Sequence, residues 1–274
     1  MRVFRRARGS RRRRAARTPR IAVPIPAAVR VLLGSLPGLA AVAALALCAS
    51  GVERTGAVSE RPAKARSAAT PYSSAKPHIV PRSAWLDGST RGQPPPRYDA
   101  EVVAVFVHHT DSPNGYACTD APRIIRSLYA GQTGSRQWDD IGYNFLVDRC
   151  GTIYEGRAGG VDRPVTGAHT QGFNHGTTGV AALGTFTAGV PVPQAMTEAI
   201  ARLAAWKLGM SQIDPRADVP LVSSNGRSRY AAGTTARLPA LAGHKDGFMT
   251  SCPGAALSAL LPQIRQTAAA LQGR

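Results

Sequence analysis

The chain has 274 residues, 43% of them hydrophobic, which suffices for one large or two small domains with an apolar core. Its formal net charge of +18 is concentrated at one end, since residues 1–30 hold 11 arginines, no lysine and no acidic residue. The 23 basic and 16 acidic residues of the remainder leave only about +7, so the total charge does not indicate a nucleic-acid-binding protein.

The first 50 residues have the order of a secretory signal. The basic stretch is followed by VLLGSLPGLAAVAALALCAS, residues 31–50, which carries no charge and ends in small residues. This run approaches the roughly 20 residues that span a bilayer, so an uncleaved N-terminal anchor is the alternative. We assign residues 1–50 to a signal peptide or anchor and expect a secreted or cell-wall-associated protein.

The folded part is predicted to begin near residue 78. Residues 51–77 are rich in Ala, Ser, Pro and charged side chains without apolar periodicity, which is typical of a disordered linker. The folded domain is predicted over 78–272. Its first strong element is VVAVFVHH, residues 102–109, whose β-branched apolar run predicts a strand buried on both faces.

The following segments alternate between helix and strand patterns. Residues 119–131 predict a helix with Pro122 in its first turn. Residues 143–157 predict a hairpin in which Gly151 supplies the turn. Residues 179–186 predict another buried strand.

The last third of the chain supplies two helices and a hairpin. Residues 194–209 predict an amphipathic helix that ends in glycine, and the polar stretch 210–241 predicts a hairpin. Residues 255–266 predict a last helix, interrupted or kinked at Pro262. Strands interleaved with helices predict a single α/β domain, with a mixed and mostly buried β-sheet flanked by helices.

The cysteines raise a question about chemistry. If Cys48 leaves with the signal, three remain, which is an odd number for an exported chain. Cys252 lies in GHKDGFMTSCPG, residues 243–254, eight residues after His244. Pro253 opens the predicted last helix, whose positive dipole end is expected to lower the pKa of the thiol. A thiolate there can be a nucleophile or a metal ligand.

A histidine pair closes the buried strand. Successive strand side chains face opposite ways, so only one of His108 and His109 can point into a site at that strand end. One of them, with His244 and Cys252, would form a set of two histidines and one cysteine. Three such ligands and one open position suit a catalytic zinc.

Other interpretations stay open on chemistry alone. A structural zinc needs a fourth ligand, and no good one lies nearby in sequence. A Cys–His peptidase would use Cys252 as nucleophile and a histidine as base. If zinc takes Cys252, then Cys118 and Cys150 are free to form a disulfide.

The chain resembles peptidoglycan recognition proteins and type 2 N-acetylmuramoyl-L-alanine amidases over roughly residues 78–265. The resemblance rests on five motifs in order: VFVHHT (105–110), WDDIGYNFLVDRCGTIYEGR (138–157), GAHTQGFN (167–174), GVAALGTF (179–186) and GHKDGFMTSCPG (243–254). The Ala, Arg and Gly content resembles that of an actinobacterial member. The resemblance implies the fold of that family, a zinc ion, and hydrolysis of the amide bond between N-acetylmuramic acid and L-alanine in peptidoglycan.

The resemblance also implies roles for single residues. The zinc ligands of the family are matched by His108, His244 and Cys252. Tyr143 matches a tyrosine that contacts the zinc-bound water or the substrate carbonyl, and Thr250 matches a position close to the metal, so both are candidate catalytic residues. His169 matches a histidine of the substrate groove, and His109 is grouped with it as a supporting residue.

The loop 243–254 departs from the family pattern. Where GHRDV is expected, the chain has GHKDGFM. Lys245 lacks the planar fork of arginine, and Phe248 and Met249 place apolar side chains near the metal. These changes leave the preferred substrate open.

Two further functions are considered beside the zinc amidase. One is a peptidoglycan-binding recognition module with little turnover, against which Cys252 argues. The other is a Cys–His cell-wall peptidase. In each case we expect a monomer whose partner is the glycan strand and stem peptide of peptidoglycan, with no nucleic acid and with membrane contact only through an uncleaved N-terminal segment.

Overall fold

A computed structural model gives the fold and describes residues 72–86, 88 and 92–274. The signal or anchor predicted over 1–50, and the predicted linker up to residue 71, lie outside the described residues. Within the described part of the chain, no helix is long and apolar enough to cross a membrane.

A mixed six-stranded β-sheet forms the centre of the domain, and a two-stranded ribbon lies apart from it. The strands are β1 (Ile79–Val80), β2 (Ala104–His109), β3 (Phe145–Val147), β4 (Ile153–Glu155), β5 (Thr177–Ala182), β6 (Asp218–Val222), β7 (Thr235–Pro239) and β8 (Leu241–Gly243). The order in the sheet is β1-β4-β3-β5-β2-β8. Its neighbours pair in parallel except β3 with β4, which form the predicted hairpin. Strands β6 and β7 form the hairpin predicted in the polar stretch.

The central strands β2 and β5 are buried along nearly their whole length. Burial on both faces explains the unbroken apolar run of β2 and confirms that strand. The strand predicted over 179–186 is displaced, since β5 begins at Thr177 and ends at Ala182. Gly184 then adopts φ +137°, which takes the chain out of the strand direction.

Helices cover both faces of the sheet. They are α1 (Ala121–Ala130), α2 (Gln194–Gly209), the short α3 (His244–Gly247) and α4 (Ala255–Leu271). Side chains of Phe145 and Val147 join the core formed with α2 and α4, whereas Leu146 between them joins the core formed with α1. This alternation is the two-residue period of a strand, and it confirms the predicted α/β class.

Helix α2 has the predicted bounds and, in its first half, the predicted amphipathic character, with Met196 and Ile200 buried and Glu198 exposed. Its last two turns are buried almost throughout, because they pack between the sheet and α4. Even Lys207 is only 2% exposed. Its ammonium group donates to the carbonyl oxygens of Val161 and Arg163, at 3.1 and 3.3 Å, so the buried amine has hydrogen-bond partners.

Helix α4 continues through Pro262 to Leu271, so of the predicted alternatives at Pro262, an interruption or a kink, the interruption is wrong. Proline removes one backbone hydrogen bond within a helix. The apolar face of α4 offsets that loss, since Leu257, Leu261 and Ile264 are buried in the core.

A disulfide joins Cys118 to Cys150, which confirms the predicted pair. Cys118 lies just before α1, and Cys150 lies in the turn between β3 and β4. The bond therefore ties the start of α1 to the hairpin.

Removing this disulfide should destabilise the domain strongly. The two cysteines are 32 residues apart, and closing a loop of that size in the unfolded chain contributes about 3–4 kcal/mol. We expect the double variant Cys118→Ser/Cys150→Ser to lose about that much free energy of unfolding, measured by urea denaturation under oxidising conditions. Equal urea midpoints for the variant and the parent protein would contradict a stabilising bond.

Candidate metal centre

Strand register brings two histidines together at one edge of the sheet. Strands β2 and β8 are parallel neighbours, with Val107 opposite Gly243. The residues that follow these two are His108 and His244, so both lie at the carboxyl ends of adjacent strands. Their ring centroids are 4.4 Å apart.

Cys252 is held beside the histidines by backbone contacts. Its carbonyl accepts a hydrogen bond from the Lys245 amide at 2.9 Å, and its Sγ accepts one from the His109 amide at 3.3 Å. Two residues later the chain passes close to Phe186, where a Cβ on Gly254 would lie 2.1 Å from the Phe186 carbonyl oxygen. Gly254 has φ +93°, so this approach requires glycine.

The three predicted ligands have the spacing of a metal site. One ligand atom from each of His108, His244 and Cys252 lies within 4.8 Å of the others. His108 Nδ1 is 3.8 Å from Cys252 Sγ. Zinc–nitrogen and zinc–sulfur bonds of about 2.0 and 2.3 Å at a tetrahedral angle would separate those atoms by about 3.5 Å. The residues therefore fit a zinc ion.

Burial keeps both histidines neutral. Desolvation, followed by the charges of His244 and His169, lowers the pKa of His108 well below its usual value. Desolvation, followed by the charge of His109, lowers the pKa of His244 to about 4. Neutral imidazole is the form that binds a metal.

The thiol behaves differently from the sequence-based expectation. Burial raises the pKa of Cys252 to about 12, which outweighs the hydrogen bond from the His109 backbone that lowers it. The expected lowering by the helix dipole is wrong, because α4 begins only at Ala255 and Cys252 is 7% exposed. Without a bound cation the thiol keeps its proton.

Tyr143 and Thr250 both lie close to these ligands. The Tyr143 ring centroid is 5.2 Å from that of His108. Burial, followed by the charge of Cys252, raises the pKa of Tyr143 well above its usual value, so its hydroxyl remains a donor. Thr250 Oγ1 accepts a hydrogen bond from the Cys252 amide at 3.1 Å.

The two other predicted histidines differ in their surroundings. His109 is partly exposed, and its buried Nδ1 has no hydrogen-bond partner among the described residues. His169 is 7% exposed, and its Nδ1 lies 3.2 Å from His108 Nε2. Both ring nitrogens of His169 have partners within the protein.

The unusual apolar residues of the loop 243–254 have separate positions. The Phe248 ring stacks on His244, with centroids 5.4 Å apart, so it covers one side of a candidate ligand. Met249 is 67% exposed. Apolar bulk next to the metal site therefore comes from Phe248.

A cleft of about 470 Å³ is lined by residues around the 138–157 and 167–174 motifs. Its charged and titratable groups belong to Arg97, Asp139, Asp140, Arg157 and His175. No sequence pattern singles out these five side chains, although Asp139, Asp140 and Arg157 lie inside the 138–157 motif. The Pro-Pro-Pro-Arg stretch at 94–97 lies far from these motifs in the sequence and reaches the cleft only in the folded chain.

A family model described as N-acetylmuramoyl-L-alanine amidase matches residues 98–255. The chain belongs to this family, which groups type 2 amidases with peptidoglycan recognition proteins.

Two relatives represent the two kinds of protein in this family, the amidases and the peptidoglycan recognition proteins. The N-acetylmuramoyl-L-alanine amidase of Homo sapiens is 34% identical over 188 residues, which cover 68% of this chain and 28% of that protein. Peptidoglycan-recognition protein LE of Drosophila melanogaster is 36% identical over 118 residues, covering 43% of this chain and 33% of that protein. The chain thus spans about a third of the length of these relatives.

Solved structures agree with the fold. Human PGRP-IBETAC in complex with glycosamyl muramyl pentapeptide aligns with a TM-score of 0.52 and 28% identity, over 68% of this chain and 95% of that one. Peptidoglycan recognition protein-LE in complex with tracheal cytotoxin aligns with a TM-score of 0.50 and 28% identity, over 69% and 92%. The fold described above is therefore that of the peptidoglycan recognition proteins.

The protonation states predict how zinc uptake depends on pH. Near pH 6 the thiol of Cys252 is protonated while His108 and His244 are neutral, so zinc binding at that pH should release about one proton and the affinity should rise about tenfold per pH unit. Calorimetry in buffers of different ionisation enthalpy measures this number. Cys252→Ala should release no proton, and a release of zero or two by the parent protein would contradict the assignment.

Proposed function

We propose that this protein is a zinc-dependent N-acetylmuramoyl-L-alanine amidase. The observation that carries the proposal is the convergence of His108, His244 and Cys252 within 4.8 Å. Membership of the amidase family supports it. A recognition module without turnover has no need of a complete ligand set, and the chain retains all three residues.

The proposed substrate is peptidoglycan, cleaved between N-acetylmuramic acid and L-alanine of the stem peptide. Support comes from structural relatives whose ligands are tracheal cytotoxin and a muramyl pentapeptide. The cleft of about 470 Å³ offers a concave surface of the size that small ligands occupy. Its arginines and carboxylates can meet the polar groups of a glycopeptide.

The chain supplies the ligands and two hydrogen-bond donors for the reaction. When bound, zinc acts as a Lewis acid toward the attacking water and the scissile carbonyl. Tyr143 keeps its hydroxyl proton because burial raises its pKa, so it can donate to the carbonyl oxygen as negative charge develops there. Thr250, bonded to the Cys252 amide, can donate in the same place. Each such donor typically lowers the activation free energy by ~3 kcal/mol.

The thiol-peptidase alternative is less well supported. A cysteine nucleophile needs a thiolate, which forms readily only where the pKa is lowered. Here burial raises the pKa of Cys252 to about 12. A divalent cation stabilises the same sulfur as a thiolate, so the site favours a metal ligand.

We further propose that the amidase domain of residues 78–272 acts outside the cell as a monomer. Residues 1–50 would direct its export, and residues 51–77 would connect the domain to that segment. The net charge of about +7 beyond the first 30 residues favours association with an anionic wall polymer.

The direct test is digestion of peptidoglycan by the zinc-loaded full chain, with the new ends identified by mass spectrometry. We expect free stem peptides that begin with L-alanine. Cys252→Ser should yield none, while the adjacent exposed substitution Ser251→Ala should leave the yield unchanged. Cuts within the stem peptide would replace the proposal with a peptidase, and binding without cleavage would leave a recognition protein.

Tyr143→Phe tests the hydroxyl donor separately. Loss of one donor to a developing oxyanion lowers kcat by about 10²–10³-fold, and we expect that decrease with zinc content and KM unchanged. Tyr154→Phe is a matched control, since Tyr154 packs in the same core as Tyr143 but its hydroxyl bonds Asp148, at 3.1 Å. An unchanged kcat for Tyr143→Phe would exclude Tyr143 from the reaction.

A further inference from the structure

A chain of hydrogen bonds runs from His108 away from the candidate metal. His108 Nε2 lies 3.2 Å from His169 Nδ1. His169 Nε2 lies 3.3 Å from Thr177 Oγ1, and Thr177 Oγ1 lies 2.6 Å from the carbonyl oxygen of Phe173. The opposite ring nitrogen, His108 Nδ1, faces Cys252 Sγ at 3.8 Å.

The carbonyl of Phe173 fixes the direction of every bond in this chain. A carbonyl only accepts, so the single hydroxyl proton of Thr177 is donated to it. Thr177 Oγ1 must then accept a proton from His169 Nε2. A neutral His169 with its proton on Nε2 has a bare Nδ1, and this atom accepts from His108 Nε2–H.

Thr170 agrees with the same direction. Its Oγ1 lies 3.3 Å from His108 Nε2 and 3.0 Å from His169 Nδ1. The hydroxyl can accept from the first nitrogen and donate to the second. In the reverse arrangement, Thr177 would need two hydroxyl protons, one for Phe173 and one for His169.

We infer that His169 and Thr177 are positioning residues that hold the proton of His108 on Nε2 and so leave Nδ1 bare as the metal-binding atom. This inference rests on the proposed zinc function. It assigns His169 a role within the protein, since both of its ring nitrogens are engaged there, rather than the substrate contact that the family resemblance implies.

The ring of His169 packs tightly against two glycines. A Cβ at Gly179 of β5 would lie 2.3 Å from the His169 ring, and a Cβ at Gly167 would lie 2.5 Å from it. Neither position has room for a side chain. The His169 amide also donates to Asn174 Oδ1 at 2.9 Å. Glycine at both positions therefore lets the imidazole lie against the strand and reach Thr177.

Substitutions at Thr177 test the inference by zinc affinity, measured by competition with a chromogenic chelator. Thr177→Val keeps the shape but cannot accept from His169 Nε2–H. The variant therefore weakens the preference of His169 for a proton on Nε2, and a proton on Nδ1 favours the wrong tautomer of His108. We expect zinc affinity to fall about 10- to 100-fold, the usual effect of losing an outer-shell partner. Thr177→Ser keeps the hydroxyl and should restore affinity close to the parent value.

Two controls separate this effect from a general loss of packing. Thr178→Val makes the same change at the next strand position, whose side chain faces the opposite side of the sheet, and should leave affinity unchanged. In the metal-free parent protein, ¹⁵N NMR of the imidazoles should show the proton of His108 on Nε2, and Thr177→Val should move it toward Nδ1.

The outcomes distinguish this inference from the proposed function. Equal zinc affinities for the parent, Thr177→Val and Thr177→Ser, or a metal-free His108 with its proton on Nδ1, would overturn the positioning role while leaving the amidase proposal intact. A parent protein that binds no zinc would overturn both. Equal losses of zinc affinity in Thr177→Val and Thr177→Ser would also overturn the positioning role, since they would reflect packing rather than the hydroxyl.

Discussion

The structure depends most on the register between strands β2 and β8. Because Val107 lies opposite Gly243 in parallel strands, the next residue of each strand is a histidine at the same edge of the sheet. A shift of either strand by one residue would turn its histidine toward the opposite face. The position of Cys252, the stacking of Phe248 on His244 and the bond from His108 to His169 all require this register.

Burial is the second constraint, and it acts on the chemistry of the site. Desolvation lowers the pKa values of His108, His169 and His244 and raises that of Cys252, so all four groups are neutral near pH 7. A neutral site costs less to bury than a charged one. A cation then recovers the favourable interaction with the thiolate, which links metal binding to proton release and to stability.

Local patterns in the sequence predicted much of the fold. The apolar run of β2, the turn glycine of the β3–β4 hairpin and the bounds of α2 are visible over a few residues each, and the structure has all three. Burial from distant elements is not visible in that way. The sequence therefore could not reveal that Lys207 of α2 is buried against the carbonyl groups of Val161 and Arg163. Nor could it reveal that α4 continues through Pro262, or that Cys252 is too buried for a helix dipole to lower its pKa.

The residues of the candidate site were likewise predictable only where a local pattern marks them. His108, His244 and Cys252 were predicted as a set, because their residue types match zinc chemistry and motifs. Thr177 and Gly179 were not predicted as site residues, since a threonine or a glycine in a strand indicates no function by itself. Only the structure shows that His169 packs against them. Arg97 reaches its cleft from a proline-rich segment, and only the tertiary fold brings it to Arg157.

Zinc K-edge X-ray absorption on the zinc-loaded protein tests the central claim most directly, because it counts the atoms bound to the metal. We expect one sulfur at about 2.3 Å and nitrogen or oxygen ligands at about 2.0–2.1 Å, with the sulfur signal absent in Cys252→Ser. A spectrum of the parent protein without sulfur would contradict a metal centre built from His108, His244 and Cys252.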